Sequence, residues 1–162
     1  MRIGQGVDAH RLVAGRPLRL GGIEVPHDRG LEGHSDGDAL LHAVTSAILG
    51  ALGEGDLGRH FPSSDPSLEG VASSELLARV GTRMRAAGFA VGNVDATIVA
   101  QQPRLADHLG KMEAAIADVL EIEAQRVNVK VTSTDGLGAI GQGEGIAALA
   151  VVLLEPVGEG GA

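Results

Sequence analysis

The chain has 162 residues, 44% of them hydrophobic and 1% aromatic, with no Trp, Tyr or Cys. That length reads as one domain able to bury a core of Leu, Val, Ile and Ala, without disulfides, and with any metal left to His and carboxylate ligands. The 13 basic and 21 acidic residues give a net charge of −8, which excludes a nucleic-acid groove, because phosphate backbones are held by clustered Lys and Arg.

Residues 2–12 read as an extended segment. The opening MRIGQGVDAH lacks the apolar core of a signal peptide, and no run of about 18 apolar residues follows. The chain is therefore expected in the cytoplasm, with no membrane contact. LRLGGIEV, 18–25, reads as a hairpin turning at Gly21-Gly22. Residues 38–52 read as a helix with Leu41, Val44, Ile48 and Leu52 on its apolar face. A glycine-punctuated loop follows, then a helix over 74–87 (Leu77, Val80, Met84), with Ser73 as its N-cap and Gly88 as its stop. VGNVDATIVA, 91–100, is a strand by alternation, and 105–120 is a third helix. VNVKVTS, 127–133, alternates cleanly. IAALAVVLL, 146–154, is apolar throughout, as in a strand covered on both faces. This order predicts an α+β fold: a single-domain sandwich over residues 1–157, one mixed β-sheet with helices on one face, and a frayed tail at 158–162.

Two spacings carry chemistry. Asp8 and His10 are two apart, which on a strand puts both side chains on one face. His42 ends the run HSDGDALLH and falls in a polar stripe, Asp38–His42–Ser46, on an otherwise apolar helix. Asp8, His10 and His42 make a two-His, one-carboxylate set that suits Zn²⁺ with one position open to water or a substrate oxygen. Ser46 or Asp38 could then orient His42 from behind. The plainer reading of His42 is a hydrogen-bonded core histidine. For at least one of Asp36 and Asp38, helix capping is favoured. His34 precedes the helix and reads as a loop contact, and His27, His60 and His108 read as surface residues.

TSTDGLGAIGQGEG, 132–145, contains G-x-G-x-x-G. A strand-like run follows it, and too little chain remains for a βαβ unit, so it is not a dinucleotide loop. The hydroxyls of Thr132, Ser133 and Thr134 could cradle phosphate, although an ordinary glycine-rich turn would look the same.

Five stretches occur in one order: GVDAH at 6–10, HSDGDALLH at 34–42, GDLGRHFP at 55–62, GNVDATIVAQQP at 92–103, and TSTDGLG with GQGEGI between 132 and 146. Together they resemble the 2-C-methyl-D-erythritol 2,4-cyclodiphosphate synthase family of the non-mevalonate isoprenoid pathway. The resemblance runs from Arg2 to about Leu154. It implies a homotrimer with active sites between subunits. The implied reaction converts 4-diphosphocytidyl-2-C-methyl-D-erythritol 2-phosphate to the cyclic diphosphate and CMP, the work of a phosphorus–oxygen lyase.

The matching positions imply Zn²⁺ on Asp8, His10 and His42, with Asp8 and His10 also meeting substrate. A second divalent ion, Mg²⁺ or Mn²⁺, falls to Asp135, where Glu is usual. His34 and Ser133 match the positions that stabilise the transition state. His34 and Ser35 face the phosphorylated polyol, and Asp56, Leu57, Gly58, Phe61 and Asp65 join them on the substrate. Ala100, Pro103, Leu105 and Ala106 surround cytidine and its phosphates together with Val131, Thr132, Ser133 and Asp135. Some positions depart from the pattern. Ser133 replaces Thr but keeps the hydroxyl, Ser46 replaces an Asp near His42, and Ser63 replaces an Asp, which puts a substrate contact there in question. Gln142 replaces Arg and Ala139 replaces Phe near the three-fold axis, where family members can hold an isoprenoid diphosphate.

The same residues also admit a zinc hydrolase, with Asp38 or Asp56 as general base, releasing inorganic phosphate. A trimeric binding module with a structural metal is a third reading, which a closed four-ligand site would favour.

Overall fold

The computed structural model describes residues 1–157; the tail expected at 158–162 lies outside them. Seven strands form, β1 (Arg2–Ala14), β2 (Leu18–Leu20), β3 (Ile23–Val25), β4 (Arg29–Leu31), β5 (Phe89–Val99), β6 (Val127–Thr132) and β7 (Gly145–Pro156). The helices are α1 (Ala39–Leu52), α2 (Leu57–His60), α3 (Ser73–Ala86), α4 (Leu109–Leu120) and α5 (Gly138–Gly141). The main sheet runs β4-β1-β7-β5-β6, and β2-β3 is a separate two-stranded hairpin. β5 and β6 are parallel and the other pairs antiparallel, so the five-stranded sheet is mixed, as the α+β reading expects.

One face of the sheet carries the core. Along β1 the side chains on that face belong to Gly4, Gly6, Asp8, His10 and Leu12. The two glycines are there because α1 lies directly on the strand. A Cβ on Gly6 would fall inside the carbonyl oxygen of Ala43 and within 2.7 Å of the Ala47 amide nitrogen. β7 matches with Ala148 and Ala150, both buried. Backbone-on-backbone approach makes α1 a largely enclosed helix, with Ala39, Leu40, Ala43 and Ala47 buried as well as Leu41, Val44 and Ile48, and only Gly50 exposed.

Asp38 caps α1 by accepting from the Leu41 amide at 3.0 Å. It also accepts from the amides of Gly21 (2.9 Å) and Gly22 (2.7 Å), whose φ values of 63° and 79° make the hairpin turn. Burial pushes this carboxyl's pKa up, against the pull of those three N–H donors. One side chain thus ties the hairpin to the helix start.

The other face of the sheet is open. Ile3 is 71% exposed, Val7 59%, Val151 45% and Leu149 37%. The apolar 146–154 run was expected to be covered on both faces. Within one chain only Ile146, Ala148, Ala150, Val152 and Leu154 are, because the helices lie on one side only. Ser73 does not cap α3: the N-cap is Ala72, and Ser73 is the first helical residue with its hydroxyl turned inward.

Candidate functional site

β1 and α1 meet where the glycines give way to polar side chains. Asp8 and His10 extend from the strand and His42 from the helix. His10 Nε2 lies 2.7 Å from Asp8 Oδ2, His42 Nδ1 lies 2.9 Å from the same oxygen, and the two ring nitrogens are 3.1 Å apart. Among the described residues this is the one group of His, Asp and Glu able to hold a metal ion. Two imidazole nitrogens and a carboxylate oxygen aimed at one point repel each other unless a proton or a cation sits between them, and two nitrogens with one oxygen suit a tetrahedral divalent ion. Burial works against the charge on Asp8, but hydrogen bonds from His10 and His42 outweigh it and hold the carboxyl well below its usual range. The Asp8 hydrogen bond raises His10 in turn, against burial.

The orientation of His42 corrects the sequence expectation. Asp38 is committed to the hairpin, and neither it nor Ser46 touches the ring. His42 Nε2 instead meets Ser73 Oγ at 2.8 Å and Ser35 Oγ at 3.1 Å. Ser73 in turn donates to Asp36 Oδ1 at 2.5 Å. Nothing local in the sequence marks Ser73, which arrives from α3, 31 residues away.

These three residues line a cleft of about 280 Å³ that His34, Ser35, Leu57, Gly58, Phe61 and Ser63 also line. The His34 loop is held from both sides. His34 Nε2 donates to the Asp65 carbonyl at 3.1 Å, and Arg16, another residue the sequence did not single out, donates to the carbonyls of Gly33 (2.9 Å) and Ser35 (2.8 Å). Asp56 and Asp65 use their carboxylates at the rim to cap α2 and the turn at Pro66–Leu68. His27 and His60, expected at the surface, are half-buried, with side chains 12% and 18% exposed.

A second cleft, of about 350 Å³, is lined by Ala100, Pro103, Leu105, Ala106, Val131, Thr132 and Ser133, with Gln101 and Arg104. Ser133 Oγ donates to Asp135 Oδ1 at 2.8 Å, and Asp135 holds a positive φ of 51° at the turn that follows. The two clefts share no lining residue. Within one chain, His34 and Ser133 therefore belong to different concavities.

A family model described as the YgbB family matches residues 1–155. The chain is 59% identical over 155 residues to a 2-C-methyl-D-erythritol 2,4-cyclodiphosphate synthase of Geotalea daltonii, covering 96% of this chain and 91% of that protein. Among solved structures it is similar to the bifunctional IspDF of Campylobacter jejuni, with a TM-score of 0.92 and 41% identity over 96% of this chain and 42% of that one. It is also similar to the CDP complex of IspF from Plasmodium falciparum, with a TM-score of 0.85 and 32% identity over 97% of each chain.

Proposed function

The chain belongs to the YgbB family of 2-C-methyl-D-erythritol 2,4-cyclodiphosphate synthases, and from that premise we propose that it is a cytoplasmic phosphorus–oxygen lyase of isoprenoid synthesis. Its substrate is 4-diphosphocytidyl-2-C-methyl-D-erythritol 2-phosphate. The 2-phosphate oxygen attacks the β-phosphorus, the bond from that phosphorus to the α-β bridging oxygen breaks, and CMP leaves with the electron pair. The other product is 2-C-methyl-D-erythritol 2,4-cyclodiphosphate.

The observation that carries this reading is the convergence of Asp8, His10 and His42 on the floor of a cleft lined by His34 and Ser35. Asp8, His10 and His42 would hold Zn²⁺, and Asp135 would hold Mg²⁺ or Mn²⁺. Bound there, these ions supply the positive field that polarises phosphate oxygens and that a chain of net charge −8 lacks. The chain's own groups position the substrate. The attack is intramolecular, so folding the substrate until its ends meet removes up to about 7–11 kcal/mol of the barrier, and no protein nucleophile is needed. His34, fixed by its bond to the Asp65 carbonyl, and Ser133 stabilise charge on the transferring phosphoryl group. Asp56, Leu57, Gly58, Phe61 and Asp65 hold the polyol end. Ala100–Ala106, Val131 and Thr132 enclose cytidine, a role supported by the CDP bound to the Plasmodium relative.

A homotrimer with active sites between subunits supplies what one chain does not. The open sheet face of Ile3, Val7, Leu149 and Val151 is an apolar patch of the kind that subunits bury. Such packing can bring the Ser133 cleft of one copy against the His42 cleft of the next.

The test is incubation with the cytidine-linked substrate, with and without chelator, followed by product identification. Cyclic diphosphate and CMP without free phosphate is the expected result, abolished by chelation. Inorganic phosphate among the products would favour the zinc hydrolase. Binding with no turnover would favour the binding module.

A further inference from the structure

The buried ring of His42 on α1 meets a hydroxyl that comes from α3. Ser73 is fully buried. Its hydroxyl faces two partners, Asp36 Oδ1 at 2.5 Å and His42 Nε2 at 2.8 Å. A carboxylate only accepts, so the single Ser73 hydroxyl proton goes to Asp36. Ser73 Oγ then has only lone pairs to offer the imidazole, and His42 Nε2 must carry a proton. In the neutral ring that a metal ion would bind, Nδ1 is then bare, and Nδ1 is the nitrogen facing Asp8 Oδ2 and His10 Nε2. Asp36 is itself anchored: its Oδ2 accepts from the Ser73 amide at 3.1 Å and its Oδ1 from the Asp38 amide at 3.3 Å.

We propose that Asp36 and Ser73 are positioning residues, a hydrogen-bonded relay that locks His42 as the Nε2–H tautomer and presents Nδ1 to the metal. The inference rests on the metal-binding reading above and deepens it. A carboxylate behind a metal-bound histidine fixes its ring and raises its basicity; here the carboxylate acts through an interposed hydroxyl. The relay has a second effect. Because His42 donates to Ser73, Ser35 Oγ at 3.1 Å need not give its proton to the ring. Ser35 also lines the cleft, so that proton remains for a phosphate oxygen. The stripe residues Asp38 and Ser46 have no share in the device, since both ring nitrogens are engaged elsewhere.

The experiment measures Zn²⁺ affinity by chelator competition on the full chain, together with nitrogen-15 NMR of the histidine rings in the zinc-loaded protein. The unmodified protein is expected to show His42 with its proton on Nε2. Ser73→Ala is expected to weaken Zn²⁺ by roughly 10- to 100-fold, the usual cost of losing such a partner. Ser73→Thr, which keeps the hydroxyl, restores most of it. Asp36→Asn leaves Ser73 in place and gives a smaller loss of the same sign, which keeps the test decisive if Ser73→Ala fails to fold. A merely structural serine would lower the melting temperature without moving metal affinity or the ring signature. Wild-type affinity in Ser73→Ala and Asp36→Asn, or a proton on Nδ1 of zinc-loaded His42, overturns the relay and leaves the metal centre standing. Absence of zinc binding by the unmodified protein overturns both.

Discussion

Gly6→Ala is a one-carbon change at a residue that does not line the cleft, and it should dismantle the ligand set. The added Cβ would overlap the Ala43 carbonyl oxygen and stand 2.7 Å from the Ala47 nitrogen, both backbone atoms of α1. Backbone cannot rotate away as a side-chain tip can, so helix and strand must part by about 1 Å to restore van der Waals contact. Overpacking of this kind costs about 3 kcal/mol. The chemical cost is larger in proportion. Asp8 and His10 ride on the strand and His42 on the helix, while metal–ligand distances tolerate only about 0.2 Å. Withdrawal by about 1 Å removes His42 from the set, and activity should fall about 100-fold. Two assays at matched protein concentration check this, a thermal melt of the metal-free protein and a zinc titration. Gly50→Ala is the control: its Cβ would meet nothing closer than the Gln5 oxygen at 3.7 Å, and it should gain about 0.5–1 kcal/mol, as alanine does over glycine in a helix. Wild-type melting and zinc affinity in Gly6→Ala would refute the claim that these glycines set the ligand spacing.

Asp38→Ala leaves the amides of Gly21, Gly22 and Leu41 without their acceptor and should cost at least about 3 kcal/mol by denaturant unfolding; an unchanged midpoint would show that water replaces the carboxylate. Val151→Asp puts a charge on the open sheet face and should yield folded, inactive monomers by sedimentation, whereas an intact assembly would remove this face from the interface. The metal-free protein should show a pH signature. Asp8 is lowered in the fold, so its contribution is present above pH 3.8 and fades as pH falls below that; His10 is raised, so its contribution is complete below pH 6.5 and is lost as pH rises through its folded value. Melting temperature relative to Asp8→Asn should therefore peak between these limits, and parallel profiles for the two proteins would contradict the pairing.

Every strand but the short edge strand β4, the hairpin and α1 were legible because their signals are local: alternation in 127–133, paired glycines at 21–22, an acidic cap at Asp38. The cluster of Asp8, His10 and His42 was legible as a candidate because Asp8 and His10 share a strand face and His42 interrupts an apolar helix. What holds His42 was not. Ser73 reads as an N-cap but is the first residue of the helix, and only tertiary packing turns its hydroxyl onto a ring 31 residues away. The stripe argument failed for Asp38 for a similar reason, since periodicity places a side chain on a helix face but does not reveal that two hairpin amides have already claimed it. The apolar β7 run misled in the other direction: one of its faces awaits cover that this chain does not provide.

The strand order also governs when the protein can assemble during synthesis. β1 takes its long central partner from β7, which follows every other element in sequence; Asp8 stands opposite Ala148 and His10 opposite Ile146. All three proposed ligands lie on β1 and α1, yet the strand that carries two of them has no central neighbour until β7 is made. Pairings so distant in sequence close late and slowly, and until then α1 lacks the sheet that buries its apolar side chains and is exposed to aggregation. A nascent chain halted before Gly145 would hold all three proposed ligands and still lack the strand that aligns β1, so zinc acquisition should follow emergence of β7 rather than of the ligands themselves.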